Sequence, residues 1–123
     1  MSDSTPALQQ AIIDACSKKD NANGVAIDLR KGDYTVQTLE IPRNSKVMLF
    51  SKDRVRILYV GKRNRPLFVL QDNSMLVLKD KLEIYYNTNN MQEVMRLMIR
   101  MPPSGKVEIS KDVKISLFSL KQQ

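Results

Sequence analysis

The sequence predicts a mainly β chain, a solenoid of about three to four stacked rungs preceded by one amphipathic α-helix. The first observation is a phrase that occurs three times. Phe50-Ser51-Lys52-Asp53-Arg54-Val55-Arg56-Ile57 returns as Leu78-Lys79-Asp80-Lys81-Leu82-Glu83-Ile84 and as Ile109-Ser110-Lys111-Asp112-Val113-Lys114-Ile115. Each copy reads as a strand end, a Lys-Asp corner and a second strand with alternating apolar residues. Asp53, Asp80 and Asp112 stand 27 and 32 residues apart, a spacing at which internal repeats mark stacked architectures. The second observation is that from Val25 onward the hydrophobic period is two, whereas before it the period is helical.

Thr5-Pro6 signals a helix start, with Thr as cap and Pro in the first turn. Leu8, Ala11, Ile12, Ala15 and Cys16 follow at helical spacing, and Lys18 and Lys19 complement the dipole of the last turn, so a helix is expected over 5–19. Asn21 to Gly24 closes it with turn chemistry. Residues 1–24 are therefore read as helix and turn and residues 25–123 as the solenoid, within one domain. Strands are expected at Val25–Leu29, Tyr34–Ile41, Val47–Phe50, Val55–Tyr59, Leu67–Leu70, Met75–Leu78, Leu82–Tyr86, Val94–Met101, Val107–Ile109 and Val113–Leu117, with Gly, Pro, Asn and Ser clusters between them.

Aligning the three phrases makes a physical prediction. Val55, Ile57 and Tyr59 match Leu82, Ile84 and Tyr86, then Val113, Ile115 and Leu117, an apolar ladder on the inside. Outside it, Arg56 matches Glu83 and Lys114, an alternation that relieves like-charge repulsion between stacked strands. Residues 90–101 read two ways: Met91, Met95 and Met98 suit a helix, while Met95, Leu97, Ile99 and Met101 alternate as a strand. The strand is favoured because the alignment needs one there, and the methionines read as gap-filling core more readily than as a binding face.

Composition narrows the chemistry. Among 123 residues there are 20 Lys and Arg against 13 Asp and Glu, a net charge of +7, with 42% hydrophobic residues. That describes an ordered basic domain for which an acidic partner is one reading and simple solubility the other. Histidine is absent and Cys16 is the only cysteine, which removes the usual transition-metal ligands and His-based catalytic bases. Cys16 falls on the apolar helix side, where an inert thiol is the simpler reading. No stretch approaches a membrane span, and Met1 to Gln10 lacks the basic and apolar regions of a signal peptide, so synthesis in the cytoplasm is expected. Asp53, Asp80 and Asp112 align, but their place after Lys at a corner favours turn-forming hydrogen bonds over paired catalytic carboxylates. No phosphate-loop, nucleophile-elbow or zinc-protease motif is present, so no enzyme, cofactor or metal is expected.

The phrase Asp3-Ser4-Thr5-Pro6-Ala7-Leu8-Gln9-Gln10-Ala11-Ile12, with Gly24-Val25-Ala26-Ile27-Asp28-Leu29-Arg30-Lys31-Gly32-Asp33-Tyr34 and Leu39-Glu40-Ile41-Pro42 after it, resembles the start of pectin-lyase-like right-handed parallel β-helices of the phage tailspike type. The resemblance is moderately specific over residues 3–42 and rests on repeat pattern beyond them. It implies a short right-handed parallel β-helix with the N-terminal helix as its cap. It implies no activity, because fold and function separate. Against the many rungs of that superfamily, three and a half leave no room for a long carbohydrate cleft, and Leu120-Lys121-Gln122-Gln123 is too short to cover the last rung.

Two functions of different class follow. The first is a non-enzymatic structural or assembly protein of a virus or phage particle, associating with itself or with a larger assembly protein through the uncapped C-terminal rung. The second is a basic RNA- or single-stranded-DNA-binding protein, for which Lys52, Arg54, Arg56, Lys62, Arg63 and Arg65 are the candidate contacts for nucleic acid or an acidic protein. Tyr59, the natural stacking aromatic, points inward in the alignment and weakens that case. Glycan binding is a third reading and needs an exposed aromatic such as Tyr85.

Overall fold

The computed structural model describes residues 3–18 and 23–119. Helix α1 (Thr5–Cys16) starts behind Ser4, and the Asp3 carboxylate accepts from the backbone N–H of Thr5 at 2.9 Å and from its hydroxyl at 2.6 Å. These bonds hold the Asp3 carboxyl below the usual carboxylate range. The Thr5 hydroxyl itself accepts from the backbone N–H of Gln37 at 2.7 Å, so it ties the helix start to the strands instead of capping it. Leu8 and Ile12 enter the core. The helix ends at Cys16, short of the expected span; Lys18 lies beyond its last turn, and Lys19 is outside the described residues.

All the strands pair in parallel. One sheet has six strands: β1 (Val25–Asp28), β2 (Gly32–Val36), β4 (Lys46–Tyr59), β6 (Met75–Asn87), β8 (Lys106–Ile109) and β9 (Lys114–Phe118). β4 and β6 lie side by side at its centre; β1 and β2 both pair with β4, and β8 and β9 both pair with β6. A second sheet orders β3 (Leu39–Ile41), β5 (Phe68–Leu70) and β7 (Ile99–Arg100). Register places Val25, Val47, Leu76 and Val107 in one row, and Tyr34, Ile57, Ile84 and Ile115 in another. Alternate residues of β4 and β6 fill the space between the sheets, and Val47, Leu49, Val55, Ile57, Leu76, Leu78, Leu82 and Ile84 have no exposed surface. At the turns, Asn44 and Asn73 adopt φ of 58° and 56°, a left-handed conformation that asparagine tolerates better than most residues, and the Asn44 N–H donates to Asp72 O at 2.9 Å.

The expected fold class is corrected by this topology. In place of a mainly β β-helix solenoid of three to four rungs, the described residues are mixed, about 47% strand and 18% helix, with parallel sheets of six and three strands of α/β type. The first two Lys-Asp corners do not end strands, since β4 and β6 run on through them as single elements of 14 and 13 residues, whereas the third, Lys111-Asp112, is a turn between β8 and β9. Nor do the three aspartates stack: Asp80, at φ 67°, faces Ser51, while Asp53 lies in the irregular stretch between Ser51 and Val55 where β4 carries extra residues. The Ser51 hydroxyl donates to Asp53 O within that stretch.

The expected strand Val94–Met101 is also corrected. Asn90 accepts the Glu93 N–H through its side chain and starts a 3-10 turn (Met91–Glu93) that continues into helix α2 (Val94–Met98). An Arg96–Glu93 pair spans the helical i,i+3 spacing, and only Ile99 and Arg100 remain to pair with β5. Consequently Met98 is fully buried, whereas Met95 and Met101, assigned inward by the strand alternation, are exposed. Among the described residues no helix is long and apolar enough to cross a membrane.

Candidate functional site

The six basic residues singled out by sequence do not form one patch. Arg56 donates to both carboxylate oxygens of Asp33, at 2.8 and 2.7 Å, and Arg54 pairs with Glu83. Hydrogen bonding by Arg56 holds the Asp33 carboxyl below its ordinary range, and Arg54 does the same to Glu83, while both guanidiniums are raised by their partners. In register, Asp33, Arg56, Glu83 and Lys114 form an alternating row across four strands, one residue longer than the expected ladder. These surface pairs offset the Arg54 and Arg56 charges locally. Lys52 lies apart, beside Asp80, Lys81 and Asp112. Tyr85, the candidate glycan platform, is half-buried and donates to the Glu83 carboxylate at 3.3 Å.

Lys62, Arg63 and Arg65 are carried by the loop between β4 and β5, and that loop is firmly held. Tyr59 and Tyr86 stack with ring centroids 5.2 Å apart. Their hydroxyls donate to the carbonyls of Lys62 at 2.9 Å and Arg65 at 2.5 Å. Buried Asn87 donates to Gly61 O at 2.9 Å, and the Thr88 hydroxyl to Asn64 Oδ1 at 2.6 Å. Gly61 packs so tightly on the Tyr59 phenol that a β-carbon there would overlap it. The Arg63 guanidinium donates to the Ser119 hydroxyl at 2.6 Å. Asn87 and Thr88 read as turn residues in the sequence; their burial follows from this loop folding back over β6, which local pattern does not reveal.

The two sides of the sheets end differently. On the β1, β2 and β3 side, the segment around α1 occupies the edges. Ser4 N–H donates to Thr35 O at 2.7 Å, and the Gln9 amide both accepts from Glu40 N–H at 2.7 Å and donates to Glu40 O at 2.9 Å. On the opposite side, β7, β8 and β9 each pair on one side only among the described residues. Leu76, Leu78, Leu82 and Ile84 in β6 are fully buried, yet Val107, Ile109, Val113 and Ile115, one position further out, remain partly exposed. A cleft of about 640 Å³ opens at this end between Pro66, Leu97, Ile99 and Val107, with Arg96 and Arg100 on its rim. Sequence reasoning missed this use of Met95, Leu97 and Arg100 because it placed them in a strand.

Among the described residues no group of His, Cys, Asp or Glu side chains is disposed to hold a metal ion. Comparisons of the chain with protein-family models, with curated proteins and with solved structures find no match, and nothing in them identifies a pectin-lyase-like family.

Proposed function

We propose that this chain is a non-enzymatic assembly protein that associates through the open edges of β7, β8 and β9. The observation that carries this reading is the contrast between the two ends: one has edge groups of β2 and β3 hydrogen-bonded by the α1 segment, the other leaves edges and a cleft uncovered among the described residues. An edge strand is a template for another strand, and the half-exposed row from Val107 to Ile115 supplies apolar area at about 25 cal/mol per Å² when covered. A virus or phage particle is the setting to which the resemblance over residues 3–42 points. Light scattering over a rising protein concentration tests the reading. Association that persists in high salt is expected, and Ile115→Lys, checked for retained folding by circular dichroism, should weaken it. A stable monomer throughout contradicts it.

A second reading, contact with a polyanion, is favoured by the anchored loop, because Lys62 and Arg65 have no carboxylate in salt-bridge range among the described residues. Replacing the exposed Lys62 and Arg65 with Ser should leave the fold intact, with each change in surface charge costing within about 0.5 kcal/mol. Binding of a single-stranded RNA oligonucleotide should then weaken and lose salt sensitivity. Equal binding by parent and variant at low and high salt makes the loop only a solvated face.

A further inference from the structure

We infer that the occupant of the open end is a second copy of this chain, joined about a two-fold axis through Val107 so that β8 pairs antiparallel with β8 and Lys106 stands opposite Glu108. This rests on the assembly reading above and adds the partner and the register. The orientation follows from the two ends. Helix α1 packs on β1 and β3, and its segment bonds to the backbone of Thr35, Gln37 and Glu40. Head-to-tail addition is hindered by these bonds at β2 and β3 and by the packed helix at β1, which favours like end meeting like end, a closed two-fold pair instead of a filament.

The register follows from chemistry on β8. A two-fold axis normal to the sheet makes the joined strands antiparallel, and facing residues must project from the same side of the sheet. In β8 the exposed outward residues are Lys106 and Glu108, and Val107 and Ile109 turn toward the core. Four registers centred on a β8 residue keep the faces matched, and the one centred on Ile109 sets Glu108 against Ser110 and Val107 against Lys111, beyond the strand. Centring on Lys106 sets Lys against Lys, and centring on Glu108 sets Glu against Glu. Only centring on Val107 places each Lys106 opposite a Glu108, twice per dimer, with the two Val107 side chains meeting on the core side. Among the described residues neither Lys106 nor Glu108 has an ion-pair partner within the chain, so both charges face outward unspent.

Sedimentation velocity of the full chain at low salt tests this. Lys106→Glu and Glu108→Lys each create two like-charge contacts and should weaken dimerisation on the order of tenfold or more. The double variant should return to about threefold of the parent, and an equimolar mixture of the two single variants should form mixed dimers, since their charges are complementary only to each other. All substitutions are at exposed positions, and unchanged thermal midpoints of the dilute proteins check the fold. A parent that dimerises while ignoring both single substitutions overturns the register and leaves strand-edge association standing. A double variant as weak as the singles also overturns it. A parent that stays monomeric overturns register and assembly together.

Discussion

Ile12→Asp is expected to abolish the folded state or to drive the protein into aggregates. Ile12 has no exposed surface, and with Leu8 it carries the apolar side of α1 into the core. Removing its methylenes alone, as in Ile12→Ala, should cost about 2–5 kcal/mol. The aspartate adds the penalty of an unpaired charge in an apolar site, enough to exceed the stability of a typical small domain. Urea unfolding followed by circular dichroism checks both variants. A parent-like midpoint in Ile12→Asp would show that α1 is not the cover of this end. The edge bonds made by Ser4, Thr5 and Gln9 should be lost with it, so a second consequence is increased association through β2 and β3.

Tyr86→Ala carries the next largest expected effect, about 3–5 kcal/mol by analogy with other buried aromatic truncations. Tyr86 is fully buried, stacks on Tyr59 and donates to Arg65 O, so its loss leaves a cavity, a broken stack and a loop short of one anchor. Tyr86→Phe keeps the ring and removes the hydrogen bond, for about 1 kcal/mol. Alkaline pH probes the same group. Burial, with the neighbouring Tyr59 phenol as a smaller cause, pushes the Tyr86 hydroxyl up to about 12, against roughly 10 in an unfolded chain. Below the unfolded value both states keep the proton and this contribution is fully present. As pH rises from about 10 to 12 the unfolded chain releases the proton first, so stability falls. The urea midpoint should drop across that window, less steeply in Tyr86→Phe, with Tyr59, also raised by burial, adding to the remaining slope. Identical slopes in parent and Tyr86→Phe would contradict the assignment.

Much of the local structure was legible because it rests on periodicity. The switch from helical to alternating spacing at Val25 marks the start of β1, although α1 ends earlier, at Cys16, and the rows through Ile57, Ile84 and Ile115 and through Arg56, Glu83 and Lys114 follow from the repeated phrase. What failed was what periodicity does not encode. A Lys-Asp pair reads as a strand break, yet Asp80 absorbs the bend by itself in a left-handed conformation and the strand continues. Residues 94–98 satisfy both periods, and the Asn90 cap, a local side-chain hydrogen bond, decides for the helix. The basic cluster looked local in sequence because Asp33 and Glu83 are distant in the chain; across the sheet they are the neighbours of Arg56 and Arg54. The cleft bounded by α2 was not anticipated, because residues 94–98 were read as strand.

Association through β8 and β9 is tested most directly by amide hydrogen exchange as a function of protein concentration. The N–H groups of these strands that point away from β6 have no strand partner among the described residues, so in dilute solution they should exchange quickly. At concentrations where scattering reports association, those amides should slow by at least about tenfold, while amides of β4, already paired on both sides, stay unchanged. Exchange in β8 and β9 that is the same at every concentration, or protection that appears instead on the α1 side, would contradict assembly through this end.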